Sequence, residues 1–137
     1  LAGILVIGGY NGYNGYKELV EFWSTGWPIW SYSLSDYPRT MYYSPTVNLV
    51  SGRLVACFAG SCEIYREGSW RYLQITRARR MYHSSATMDN AVLLIGGEHS
   101  KTTEWIPVDG SPAQQGPFTT RHGHDTQMRH VPQTGIY

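Results

Sequence analysis

Charge is scarce in this chain, and what there is nearly cancels: of 137 residues, Lys and Arg contribute 11 and Asp and Glu 10. A protein that grips nucleic acid through its phosphates needs a basic excess, so nucleic acid is not an expected partner. Long apolar runs are also missing. No stretch approaches the roughly 20 residues of a membrane-spanning helix, and no membrane span is expected. Helical periodicity never persists beyond a few residues, and Glu18–Trp23 comes nearest. Cysteine is limited to Cys57 and Cys62; a single CxxxxC is no zinc signature without a second pair. There is no GxSxG, no phosphate loop and no HExxH, so no catalytic constellation emerges. Asn-x-Ser/Thr is absent, so N-glycosylation within these residues is not expected. The chain lacks an initiator Met and a signal-peptide pattern. It starts and stops inside strand-like patterns, so a segment of a longer protein is expected.

What is present is aromatic and turn-rich. Tyr 11 and Trp 5 bring the aromatic share to 14%, and Gly 15 and Pro 7 are spread throughout. That mixture favours short strands and turns over helices or disorder. The most informative stretch is Val92–Gly97, VLLIGG. A short β-branched and leucine-rich run suits a strand buried on both faces. Its two glycines suit a sharp turn or a close backbone approach.

The phrase recurs. Ile4–Gly9 reads ILVIGG, and Leu54–Gly60 reads LVACFAG with Ala59 for the first glycine. A second phrase precedes two of these strands, Thr40–Ser44 ahead of Leu54–Gly60 and Arg80–Ser84 ahead of Val92–Gly97, and it recurs at Arg121–Asp125, at spacings of 40 and 41 residues. A third phrase follows each strand, an acidic residue ahead of aromatic or apolar ones: Glu21-Phe22-Trp23, Glu63-Ile64-Tyr65 and Glu104-Trp105-Ile106. Trp30, Trp70 and Phe118 come next in turn. Each unit therefore holds four strand candidates. In the middle unit these are about Tyr42–Leu49, Arg53–Ala59, Cys62–Arg66 and Trp70–Ile75, separated by Ser51-Gly52, Gly60-Ser61 and Glu67–Ser69.

Four short strands per unit of about 40–50 residues is the arithmetic of a β-propeller blade. The paired glycines, the acidic-aromatic strand and the following Trp resemble the Kelch repeat over nearly the whole chain. Ala59 and Phe118 depart from that pattern, as does the insertion Tyr10–Tyr16, YNGYNGY. The resemblance implies an all-β, Kelch-type propeller segment of three four-stranded antiparallel blades. Approximate repeats are 1–38, 39–78 and 79–119, with 120–137 opening the next unit. A blade has two apolar faces and cannot bury both alone. Closure takes about 4–8 blades, so further blades of the same chain or a second copy are expected to complete the ring.

Cys57 and Cys62 bracket the turn between the second and third strands of the middle unit. A hairpin can bring such positions within disulfide range. An even count with nothing left over fits an oxidising, extracellular compartment. Two reduced, buried cysteines in a cytoplasmic protein are the alternative.

Candidate binding residues follow the repeats. Arginines cluster at the approach to the innermost strands: Arg39, then Arg77, Arg79 and Arg80, then Arg121, with Tyr42 and Tyr82 beside them. The Kelch resemblance places these positions at the channel and one rim. Arg and Tyr offer planar, hydrogen-bonding contact area, although arginines stacked on tyrosines also make an ordinary rim. Arg80 and Tyr82 are expected at the centre of a partner site, flanked by Arg39, Tyr42, Arg121 and His122. The insertion offers a second surface through Tyr10 and Tyr13, with the Tyr, Asn and Gly chemistry of adaptable binding loops. His122 and His124 share a strand face, but the other units carry Met41/Tyr43 and Met81/His83 there, which favours packing over metal binding.

A protein-binding scaffold is the expected function, with no cofactor and no metal. The alternatives are part of a copper-radical oxidase resembling galactose oxidase, and a glycan-binding propeller whose Tyr and Trp stack on sugars. Fold analogy alone carries the step from architecture to function.

Overall fold

A computed structural model describes residues 3–8, 10–13, 15–16, 20–24, 26, 45–97 and 100–117. Among them are twelve strands and no helix. The centre is a four-stranded antiparallel meander: β5 (Thr46–Val50), β6 (Arg53–Phe58), β7 (Ser61–Arg66) and β8 (Ser69–Ile75), in that spatial order. A second meander follows with β9 (Ser84–Met88), β10 (Ala91–Ile95), β11 (Thr103–Pro107) and β12 (Gln114–Gln115). Ahead of both, β1 (Gly3–Ile7) pairs antiparallel with β4 (Val20–Ser24). Between those two, β2 (Tyr10–Asn11) and β3 (Gly15–Tyr16) form a small ladder inside the Tyr10–Tyr16 insertion.

The recurrences identified in the sequence occupy equivalent places in the sheets. Val6 pairs with Glu21, Ala56 with Glu63 and Leu94 with Glu104. The register also refines one spacing. Thr46 faces Cys57 and Ser84 faces Ile95. Thr46 and Ser84 are therefore equivalent, 38 residues apart, not the 40 that separates Met41 from Met81. The expected first strand, Tyr42–Leu49, is described only from residue 45, and begins at Thr46.

Turn chemistry fixes the central meander. Its three hairpins each close with two residues at positive φ: Ser51-Gly52, Ala59-Gly60 and Glu67-Gly68. Two left-handed residues match the right-handed twist of the flanking strands. Ala59 has φ 44°, a left-handed backbone that an alanine adopts at some steric cost.

Period-two alternation explains how the sheets stack. Val55 and Cys57 of β6, with Cys62 and Ile64 of β7, join a core with Val92, Leu94, Ile106 and Val108 of the following sheet. Ala56 and Trp70 turn the other way and meet Val20, with Leu5 and Ile7 against them. The central sheet is therefore buried on both faces. Trp70 packs edge-on against Tyr65, centroids 5.3 Å apart. Ile4 and Val6, on the far side of β1, are exposed.

Cys57 and Cys62 are disulfide-bonded, with Cα atoms 4.1 Å apart. They are a directly opposed cross-strand pair within the buried core between the two meanders. The same pair position holds Ile7 and Val20 in the first sheet and Ile95 and Thr103 in the last.

Where the two meanders adjoin, the edge strands β5 and β9 are joined by polar side chains. Ser85 Oγ donates to Asn48 Oδ1 at 2.6 Å, and Thr87 Oγ1 donates to the Leu49 carbonyl at 3.1 Å. Ser51 Oγ donates to Asn90 Oδ1 at 2.6 Å, and Thr46 Oγ1 lies 2.9 Å from His83 Nε2. Among the described residues no helix is long and apolar enough to cross a membrane.

Candidate binding face at the linker between the two meanders

Residues 76–83 connect β8, an edge strand of the first meander, to β9, an edge strand of the second. Such a crossing exposes backbone polar groups that need partners. The linker finds them in both sheets. Thr76 N donates to the Gly60 carbonyl at 2.9 Å, and Ala59 N donates to the Arg80 carbonyl at 3.2 Å. On the other side, Arg77 N donates to Glu104 Oε2 at 2.7 Å.

Arg80 completes the bridge. Its Nε donates to Glu104 Oε1 at 2.7 Å. One terminal nitrogen donates to the carbonyls of Gly96 (2.7 Å) and Thr102 (2.8 Å), and the other to Thr102 Oγ1 (2.6 Å). Arg80 is 2% exposed and Glu104 is fully buried. A rigid guanidinium fork can satisfy several fixed acceptors at once, which an ammonium cannot do. Arg80 therefore closes the Gly96–Thr102 loop onto the linker. Arg80 is expected from the sequence at the centre of a partner site; its side chain is buried. Every described partner of its side chain lies within the fold: without Arg80 the buried Glu104 carboxylate would keep only the Arg77 N–H as a described donor, and the Gly96 carbonyl would lose the donor it has here.

Gly97 makes the approach possible. It has φ 105°, and a Cβ there would lie 3.0 Å from the Met81 carbonyl and 3.5 Å from His83 Cβ. His83 is buried, with Nδ1 lacking a hydrogen-bond partner. Burial, and secondly the charge of Arg80, lowers its pKa from 6.5 to about 4. The imidazole is neutral at physiological pH.

While Arg80 points inward, its neighbours point out. Arg77 and Arg79 are exposed, and no described carboxylate forms an ion pair with either guanidinium. Tyr82 is half-buried with φ 55°. A solvent-open cleft of about 360 Å³ lies against the linker, lined by Arg77, Ala78, Arg80, Thr102, Glu104 and Gln115 among others.

The other candidates fall as follows. Tyr13 is 99% exposed at the tip of the β2–β3 ladder. Tyr10 pairs through its backbone with Tyr16. Arg39, Tyr42, Arg121 and His122 lie outside the described residues, as do His124 and His130. Among the described residues, no three His, Cys, Asp or Glu side chains converge as a metal site would require. Glu104 went unrecognised as the partner of Arg80. Its signal was visible as the acidic residue that recurs after each glycine-ended strand, but sequence spacing does not show which side chain it meets. No protein-family model and no curated protein matches the chain.

Proposed function

We propose that this chain is a segment of a Kelch-type β-propeller that serves as a binding module, presenting the linker face to a protein partner in an oxidising, extracellular setting. Consecutive four-stranded meanders, stacked face to face through their apolar residues, support the propeller reading. The disulfide supports the compartment. The observation that carries the function is the division of labour within one linker. Arg80 anchors it from beneath through five hydrogen bonds to Glu104, Gly96, Ser100 and Thr102. Arg77 and Arg79 then stand exposed on a backbone already fixed. A surface ordered before binding loses little entropy on docking, and Arg and Tyr are favoured anchors in interfaces.

Site-specific photocrosslinking tests this. A crosslinker at Arg79 should capture one partner from a secreted fraction, and a crosslinker at the exposed Arg53 should not. Tyr82→Ala should weaken capture. Equal capture from both positions would defeat the placement, and capture from Tyr13 alone would move the site to the insertion.

A further inference from the structure

A second depression adjoins the linker cleft. It measures about 320 Å³ and is lined by Tyr72, Gln74, Ile75, Arg77, Pro112 and Ala113 among others. Arg77 lines both. The two therefore meet at one cationic side chain on the outer margin of the meanders. We infer that they form a single groove for an extended peptide of the partner, an acidic side chain over Arg77 and an apolar one against Tyr72 and Ile75. The inference rests on the binding-module reading and assigns the partner segment its chemistry.

Three observations carry it. The first is charge: Arg77 is exposed without a described ion-pair partner, and the one carboxylate among the described residues lining the linker cleft, Glu104, is already engaged by Arg80 and by Arg77 N. The described lining is left with a net positive charge. The second is unburied apolar area: Tyr72 and Ile75 are 64% and 66% exposed on the edge strand β8. Ile75 and Arg77 line the same depression, and side chains two apart on an extended partner peptide are spaced about 7 Å, on one face. The third is rigidity. Gln74 Nε2 donates to the Pro107 carbonyl at 3.0 Å, and an Arg66 terminal nitrogen donates to the Val108 carbonyl at 3.2 Å. The Asp109 carboxylate accepts from Ser111 N at 2.8 Å and Ser111 Oγ at 2.5 Å, bracing the turn that leads to Pro112. An open, elongated and braced groove of mixed chemistry suits an extended chain better than an enclosed small ligand.

The test uses the full chain and a fluorescein-labelled six-residue peptide, Glu-Ser-Leu-Ser-Leu-Ser, whose glutamate and leucines are two residues apart and share one face when extended, read by anisotropy and by NMR shift mapping. Saturable binding is expected, with shifts at Tyr72, Ile75 and Arg77. Arg77→Glu and Ile75→Asp should each weaken it at least about tenfold, or 1.4 kcal/mol. Arg79→Glu should weaken it less, and the same peptide with glutamine for glutamate should bind worse than the acidic one. Circular dichroism on each variant separates lost binding from lost fold. The inference is overturned by absence of saturable binding up to about 1 mM. It is also overturned by equal affinity for Ile75→Asp, or by shifts confined to Arg79 and Tyr82; both outcomes leave the linker-face reading standing. Displacement of the Tyr72 shifts by a neutral oligosaccharide, with no peptide effect, would make the groove a sugar site instead.

Discussion

Removing Arg80 tests the architecture most directly. In Arg80→Met the Glu104 carboxylate stays buried with the Arg77 N–H as its remaining described donor. Leaving one member of a buried pair uncompensated costs about 3–5 kcal/mol, a large share of a domain stability of about 5–15 kcal/mol. Glu104→Leu should cost a similar amount, since Arg80 keeps its charge among carbonyls and hydroxyls alone. The double variant should do better than either. It leaves the Gly96 carbonyl and the Arg77 N–H without these partners, while the Thr102 carbonyl still accepts from Gly96 N. At about 1 kcal/mol for each orphaned group, the low end of the usual range, the double costs about 2 kcal/mol. Urea unfolding of the four proteins gives the cycle, with Arg80→Lys as a milder variant should a single replacement fail to fold. Single losses under about 1 kcal/mol, or losses that simply add, would refute the bridging role.

Other consequences can be measured on the same protein. His83 has its pKa lowered to about 4, so the unfolded chain binds its proton more readily. Its contribution is complete above pH 6.5 and declines as pH falls from 6.5 to 4, by about 3 kcal/mol at most; His83→Asn should flatten that slope in unfolding measurements. Gly97→Ala should lower stability by about 1–3 kcal/mol, because the new Cβ meets the backbone carbonyl of Met81. Ala59→Gly should leave stability unchanged or raise it by up to about 1 kcal/mol, as relief of left-handed strain outweighs added chain freedom. Reducing the Cys57–Cys62 bond should cost about 2 kcal/mol for so short a loop, seen as a lower urea midpoint; two freely alkylated thiols in native protein would contradict the bond itself.

The strand plan was legible because it rests on local chemistry. Period-two patterning and positive-φ turn residues are carried by neighbours in sequence, so Arg53–Phe58 and Ser61–Arg66 emerged within a residue or two of expectation. The disulfide was legible for the same reason, since its ends are five positions apart across one turn. The role of Arg80 was not. An arginine at a strand approach looks the same in sequence whether it faces solvent or a buried glutamate 24 residues later. Ile75 and Tyr72 were not singled out, because strand patterning does not show which side chains of β8 stay exposed.

The linker also gives the fold an internal reporter. Trypsin must take an arginine side chain into its own pocket before cutting after it. Arg77 and Arg79 can be offered from the surface. Arg80 cannot leave Glu104 without the linker parting from the Gly96–Thr102 loop. Scission after Arg80 therefore measures how often the two meanders separate, a sub-global opening whose frequency tracks its free energy when reclosing outpaces proteolysis. One protease, read bond by bond, thus distinguishes surface access from inter-sheet breathing in a single digest.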